Sequence, residues 1–303
     1  MHPTLARLQG TVGIWSTTHE TLRPSRIGAV TSILEAGGFS AFWTNEAYGR
    51  EAMTGAMRLL QASSTLVVAT GIASIYARDA MATASAARTL AELSSERFVL
   101  GLGVSHKPLV ERTRGGVYKP PLEAMSTYLD AYDGATVMSA ERDVQPPVVL
   151  AALGPKMLHL AATKSDGALT YLVTAEHTGH ARAALGQDAF LAVEQSVVLG
   201  EDRAEFLRRA HEHLNWYTGL ENYRASWRRL GFDDEDFVRG GSERLCDAIV
   251  VHGDAEAIEG RVGEHVAAGA DHVCLQVLGA SVTEAPFEQW EVLGETRTRR
   301  ASE

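Results

Sequence analysis

Short, continuously apolar runs alternate along this chain with alanine-rich stretches of helical period. One unit recurs: a helical pattern, a small-residue stop, then an apolar strand. In "PSRIGAVTSILEAGGFSAFWT" the helix starts near Pro24, stops at Gly37-Gly38 and gives way to a strand at 40–44. "ARDAMATASAARTLAELSSERFVLGLG" repeats the design, with a helix over 77–93 and a strand over 97–102. "GPKMLHLAATKSDGALTYL" does so from Pro155 into a strand at 168–172, and "AEAIEGRVGEHVAAGADHVCLQVL" from a helix ending at Gly269 into 272–278. Proline near a helix start and glycine past its end is the asymmetry expected of real boundaries.

Further apolar runs at 12–15, 66–71, 148–151 and 191–198 bring the strand count to eight. Runs apolar at every position belong to strands covered on both faces, and alternation with helices makes the sheet parallel. Eight such units predict an α/β fold, a closed (β/α)8 TIM barrel forming one domain over 1–303. The stretch 201–245 does not fit the repeat. It is helical, polar-faced and rich in Trp, Tyr and Arg, and reads as a helical insertion before the last strand. It is a candidate homodimer interface as well as a cover for the barrel. The segment 112–121, "RTRGGVYKPP", reads as a loop.

Composition narrows the function classes. Apolar residues make up 45% of the 303 and charged residues 22%, the balance of a globular protein with a large core. With 38 acidic against 28 basic residues the formal charge is −10, a field that repels nucleic acid. Cys246 and Cys274 lie in apolar patterns without metal or redox spacing and read as buried thiols. No apolar run reaches the roughly 20 residues of a membrane span, and the first ten residues lack a signal core, so a cytoplasmic location is expected. No metal-binding pattern and no G-x-S-x-G elbow is present, and no metal is expected.

A barrel of this kind places its chemistry at the C-terminal ends of its strands. There, "ALGPKML" sets Gly154, Pro155, Lys156 and Met157 at a helix mouth, where unpaired amides and the helix dipole favour an anion. The same letters also simply start a helix. "LGLGVSH" brings Gly103, Val104, Ser105 and His106 to another mouth, as a ligand-facing backbone or as a tight turn. Glu46, in "TNEAYGRE", is a candidate acid or base, or a salt-bridge partner of Arg50. His106 is a candidate proton relay, or a plain loop histidine.

In sequence order, "FWTNEAYGRE", "TGIASIYARDA", "RTLAELSSERFVLGLGVSH", "GPKMLHLAATKSDGALTYLVT" and "AGADHVCLQV" resemble the luciferase-like monooxygenase superfamily. Within it they resemble the coenzyme F420-dependent oxidoreductases of actinobacteria. The resemblance implies a TIM barrel binding coenzyme F420, a deazaflavin, and passing a hydride to or from a small organic substrate. It implies a non-prolyl cis peptide at Gly71-Ile72 behind the deazaflavin ring, with Gly103, Val104 and Ser105 lining the cofactor. The "GPKM" turn is then the phosphate site, with Tyr171 and Thr174 beside it. Trp15 and Trp43 are expected near the ring or in the layer supporting it. On this reading the glycines of "GLG" stay bare so that a flat ring can lie against them. Glu46 would supply the acid/base group with His106 assisting, and Arg50, Arg78, Lys107, Arg112 and Arg114 are candidates to receive the acidic tail, each also readable as a plain solvated charge. Sugar-phosphate dehydrogenases of the superfamily carry histidine where Glu46 stands and glutamate near His106, so a sugar phosphate is not implied here. The alternatives are an FMN-dependent monooxygenase on the same barrel and a protein that binds flavin or deazaflavin without turnover.

Overall fold

The computed structural model describes residues 1–138, 144–238, 240–279 and 284–302. Ten strands form one parallel sheet: β1 (Thr11–Ser16), β2 (Ala41–Thr44), β3 (Val67–Thr70), β4 (Ala73–Ser74), β5 (Phe98–Gly103), β6 (Val148–Ala151), β7 (Gly167–Thr170), β8 (Phe190–Leu199), β9 (Val250–Gly253) and β10 (His272–Val277). The order β10-β1-β2-β3-β5-β6-β7-β8 closes on itself, because β10 also pairs with β8 from His272↔Ala192 to Val277↔Val197. All eight predicted strands are therefore present, each within a few residues of its expected bounds.

The two extra strands were not legible as such. β4 continues the wall beyond β3 and pairs Ala73 with Leu102 and Ser74 with Gly103. β9 runs along β8 at Ser196–Leu199, on the side that β7 vacates after Val193. Its letters, "VVHG", follow the helix Glu243–Ile249 without a break.

Alternation along each strand divides the core. Ala41, Trp43, Val67, Ala69, Val99, Val149, Leu169, Phe190, Ala192 and Cys274 point into the barrel, and Leu5 and Leu8 join them from the N-terminal segment. The intervening positions, such as Phe42, Val68, Leu100, Leu150 and Val193, pack outward against the helices. The insertion builds its own cluster, in which Phe206, Leu214, Trp227, Phe237 and Ile249 close on Leu172 and Val198. Its helices, Arg203–Tyr217 and Glu221–Arg228, are thus seated over the mouth of the barrel.

Two buried imidazoles are wired as neutral groups. His272 accepts from the Trp43 indole (3.1 Å) through Nε2 and reaches Thr11 Oγ1 (3.1 Å) through Nδ1. His265 bridges Thr178 Oγ1 (2.8 Å) and Gln195 Oε1 (2.9 Å). Burial pushes their pKa values down to about 4 and about 3. Because the folded values lie below the unfolded ones, this stability is present above about pH 6.5 and is lost as pH falls towards 4. Glu194, raised to about 7 by burial, acts in the opposite sense and recovers part of it. His106 and His213, held down to about 4 in the same way, act in the same sense, so the histidines outweigh the one carboxyl and stability should drop by about 5 kcal/mol between pH 7 and 5. Urea unfolding at both pH values checks this; equal midpoints would contradict the assignment.

Candidate functional site

At the C-terminal ends of the strands lies a cavity of about 730 Å³. Trp15, Glu46, Gly71, Ile72, Gly103, Val104, Ser105, His106, Gly154, Met157 and Tyr171 all line it, so residues far apart in sequence share one wall. The peptide between Gly71 and Ile72 is cis. Trp15 fixes that corner by donating its indole N–H to the Gly71 carbonyl (2.8 Å), and its ring lies 5.0 Å from the ring of Tyr171.

Three expected residues fall elsewhere, and a fourth, Trp43, lies beneath the wall. Pro155 and Lys156 sit at the helix mouth but are exposed, outside the cavity wall. Thr174 is not beside the cavity; its hydroxyl caps the helix Ala175–Leu185 by accepting from His177 N–H (3.2 Å). Trp43 is wholly buried inside the barrel in one cluster with Trp15, donating to His272, a place that fits the supporting layer and not the ring face.

The glycines of "GLG" are bare for a different reason from the one expected. A Cβ on Gly101 would lie 1.8 Å from the Thr70 carbonyl oxygen, and one on Gly103 would lie 2.5 Å from the Ile72 side chain. Neighbouring protein, not a ligand, claims the space. The turn's ligand-facing surface is instead made by Ile72 itself and by residues 103–106.

Glu46 also departs from expectation. It is buried, its partner is Arg78 and not Arg50, and both oxygens are engaged. Oε1 accepts from Ala52 N–H (3.2 Å) and from Arg78, and Oε2 accepts from Ser74 N–H (2.9 Å). A carboxylate bound by two amides and a guanidinium braces the loops after β2 and β4; three of its four lone-pair positions are taken, and one, on Oε2, is left. His106 is the less encumbered group. Burial pushes its pKa down to about 4, so near neutral pH its ring is uncharged, and it stands 5.9 Å from the ring of Tyr223.

Among the contributors to the wall that were missed in the sequence are Tyr217, Tyr223 and Arg229, all from the insertion. Its aromatic and arginine content was the available signal. Arg229 donates to the Leu153 carbonyl (3.0 Å) and so stands at the mouth of the helix Pro155–Lys164. Asn45 also lines the cavity, and its Oδ1 is buried without a hydrogen-bond partner among the described residues.

Of the cations expected to hold a tail, Arg50, Arg78 and Arg114 line a second groove of about 320 Å³ that meets the cavity at Glu46, Ala47 and Tyr48. Glu46 and Glu51 share that groove and pair with Arg78. Lys107 pairs with Glu111 (2.9 Å), and Arg112 is exposed. Around the barrel the groove is made by the segments that follow β2, β4 and β5, and the helix mouth follows β6. Among the described residues no group of His, Cys, Asp and Glu could hold a metal ion, and no helix is long and apolar enough to cross a membrane.

Comparison with known proteins places this geometry. The chain is 25% identical to a Mycobacterium tuberculosis protein provisionally named a coenzyme F420-dependent oxidoreductase, over 86% of this chain and 92% of that protein. It is 29% identical to the 5,10-methylenetetrahydromethanopterin reductase of Archaeoglobus fulgidus, over 56% of this chain and 59% of that enzyme. A solved F420-dependent secondary alcohol dehydrogenase, in complex with an F420–acetone adduct, superposes with a TM-score of 0.69 at 15% identity. That superposition covers 95% of this chain and 98% of the other, and shows the fold. Residues 8–272, most of the chain, match the luciferase-like monooxygenase family, and the chain belongs to it.

Proposed function

We propose that this protein is an oxidoreductase that uses coenzyme F420 to move a hydride to or from a small organic substrate. One observation carries the reading: a single cavity joins the Trp15–Gly71–Ile72 wall to the helix mouth at Gly154 and Met157, with Arg229 beside it. A flat ring and a phosphate need those two surfaces in one space. The relatives that bear F420 in their names add to it.

The residues fit such a guest. Ile72, Gly103 and Val104 offer an apolar face, and the buried Asn45 Oδ1 offers an acceptor to an N–H or O–H donor. At the helix mouth the first-turn amide of Lys156 has no partner within the helix, and Arg229 adds a positive charge. When bound, the deazaflavin supplies a two-electron hydride donor or acceptor. The protein's part is to place the substrate against that face and to handle its proton. His106, neutral and facing the cavity, can take a proton from a substrate hydroxyl or return one to a carbonyl. Glu46, its oxygens engaged, holds the loops in place. Tyr217, Tyr223 and Leu220 roof the space and exclude water.

Titration with F420 and with FMN, followed by fluorescence, tests the reading. F420 should bind at least tenfold more tightly. Tighter FMN binding would point to a flavin monooxygenase, and no binding of either would overturn both readings. Bound F420 that no panel of alcohols, aldehydes and ketones reduces or oxidises would mark a binding protein without turnover.

A further inference from the structure

Beneath the cavity lies an ionisable group with no role in the chemistry above. Glu194, on β8, is fully buried inside the barrel. Its Oε2 accepts from Leu172 N–H (2.9 Å) and its Oε1 from the Ser196 hydroxyl (2.7 Å). Ser196 Oγ also lies 3.2 Å from His213 Nε2. The serine has one proton and gives it to Glu194, so His213 must donate from Nε2.

This chain ends against two parts of the cavity wall. Leu172 follows Tyr171 directly, has φ +55°, and accepts the Trp227 indole N–H (3.0 Å) from the insertion. Tyr171 donates to Gln276 (2.7 Å), and its hydroxyl lies 3.1 Å from that of Tyr217. The ring of His213 lies 5.4 Å from the ring of Tyr217. Tyr171 and Tyr217 both face the cavity. The titratable groups around Glu194 are Tyr171 after β7, His213 and Tyr217 on the helix Arg203–Tyr217, Tyr223 on Glu221–Arg228, and Cys274 on β10. None is a cation at neutral pH: burial pushes His213 down to about 4 and raises the tyrosines and the thiol.

We propose that Glu194 is a positioning residue whose ionisation sets the cavity wall. As a carboxylate it pins the Tyr171–Leu172 corner and orients Ser196 and His213 behind Tyr217. As the neutral acid it donates to Ser196, which then turns its own proton to His213 Nε2 and moves that ring's hydrogen to Nδ1. Burial brings the exchange close to neutral pH, with the carboxyl raised to about 7. Wall and bound guest are thereby tied to one proton, an inference that rests on this cavity being the ligand site.

Nitrogen NMR of His213 and F420 titrations at pH 6 and 8 test this in the wild type, in Glu194→Gln and in Ser196→Ala. In the wild type the ring hydrogen should pass from Nε2 at pH 8 to Nδ1 at pH 6. Glu194→Gln, whose amide donates to Ser196 permanently, should hold it on Nδ1 at both. Ser196→Ala should uncouple the ring from pH. The Kd of Glu194→Gln relative to wild type should be about 10 at pH 8 and about 1 at pH 6, a ratio that cancels the ligand's own titration. A His213 tautomer that is the same in wild type and Glu194→Gln, or a pH-independent Kd ratio, overturns the proposal. Absence of F420 binding at either pH strikes the cofactor reading and leaves the NMR result to decide this one.

Discussion

Gly101→Ala should cost the barrel more than about 3 kcal/mol, enough to leave much of the protein unfolded in mild urea. The added carbon would sit 1.8 Å from the Thr70 carbonyl oxygen. Side chains escape such overlaps by turning, but here the obstacle is backbone and the seam is already fixed. Thr70 Oγ1 accepts from Gly101 N–H and donates to Gly101 O, both at 2.8 Å. Beside that clamp, β3 and β5 pair only at Val68↔Phe98 and Ala69↔Val99, so the seam has little to fall back on. Gly28→Ala, in a helix with open space at its Cβ, is the control and should be neutral or stabilising by up to about 1 kcal/mol. Urea melts of the three proteins decide it; a Gly101→Ala midpoint close to wild type would contradict the close contact.

Arg229→Ala should weaken F420 binding about 10- to 100-fold, while Lys156→Ala should change it less than about threefold. A hydrogen bond to a charged partner is worth about 1.5–3 kcal/mol, which sets the first range. Arg229 faces the cavity beside Gly154, and Lys156 does not. The two residues thus separate what the structure brings to the anion from what the letters alone brought. Equal effects of the two changes, or none from Arg229→Ala, would place the phosphate elsewhere.

That contrast shows where sequence reasoning ended. Strand order, barrel closure and the residues just beyond each strand follow from local periodicity, because a parallel barrel admits one reactive rim. Gly71 came from the family resemblance, whereas Gly103 and Gly154 were reachable in this way. Tyr217, Tyr223 and Arg229 were not, since their approach depends on how the insertion folds back over the mouth, a long-range outcome that period and composition do not encode. Glu194 was visible in principle: one carboxylate inside "LAVEQSVVL" marks an ionisable side chain in a strand with no wet face. For Gly101 and Gly103 the pattern showed a bare backbone but not its neighbour, and the neighbour proved to be protein.

β8 outlasts its partner β7 and takes β9 alongside its second half, so the insertion's return strand is sewn into the barrel itself. Trp227 on Leu172 and Arg209 on Leu278 (2.9 Å) add two more stitches. The roof therefore moves with its wall or not at all. The opposite rim carries Tyr48 and Val117, each more than 70% exposed, and Arg114, which makes no ion pair among the described residues. Residues 45–48 and Tyr118 line the cavity on that side, where among the described residues no strand ties the wall to the insertion.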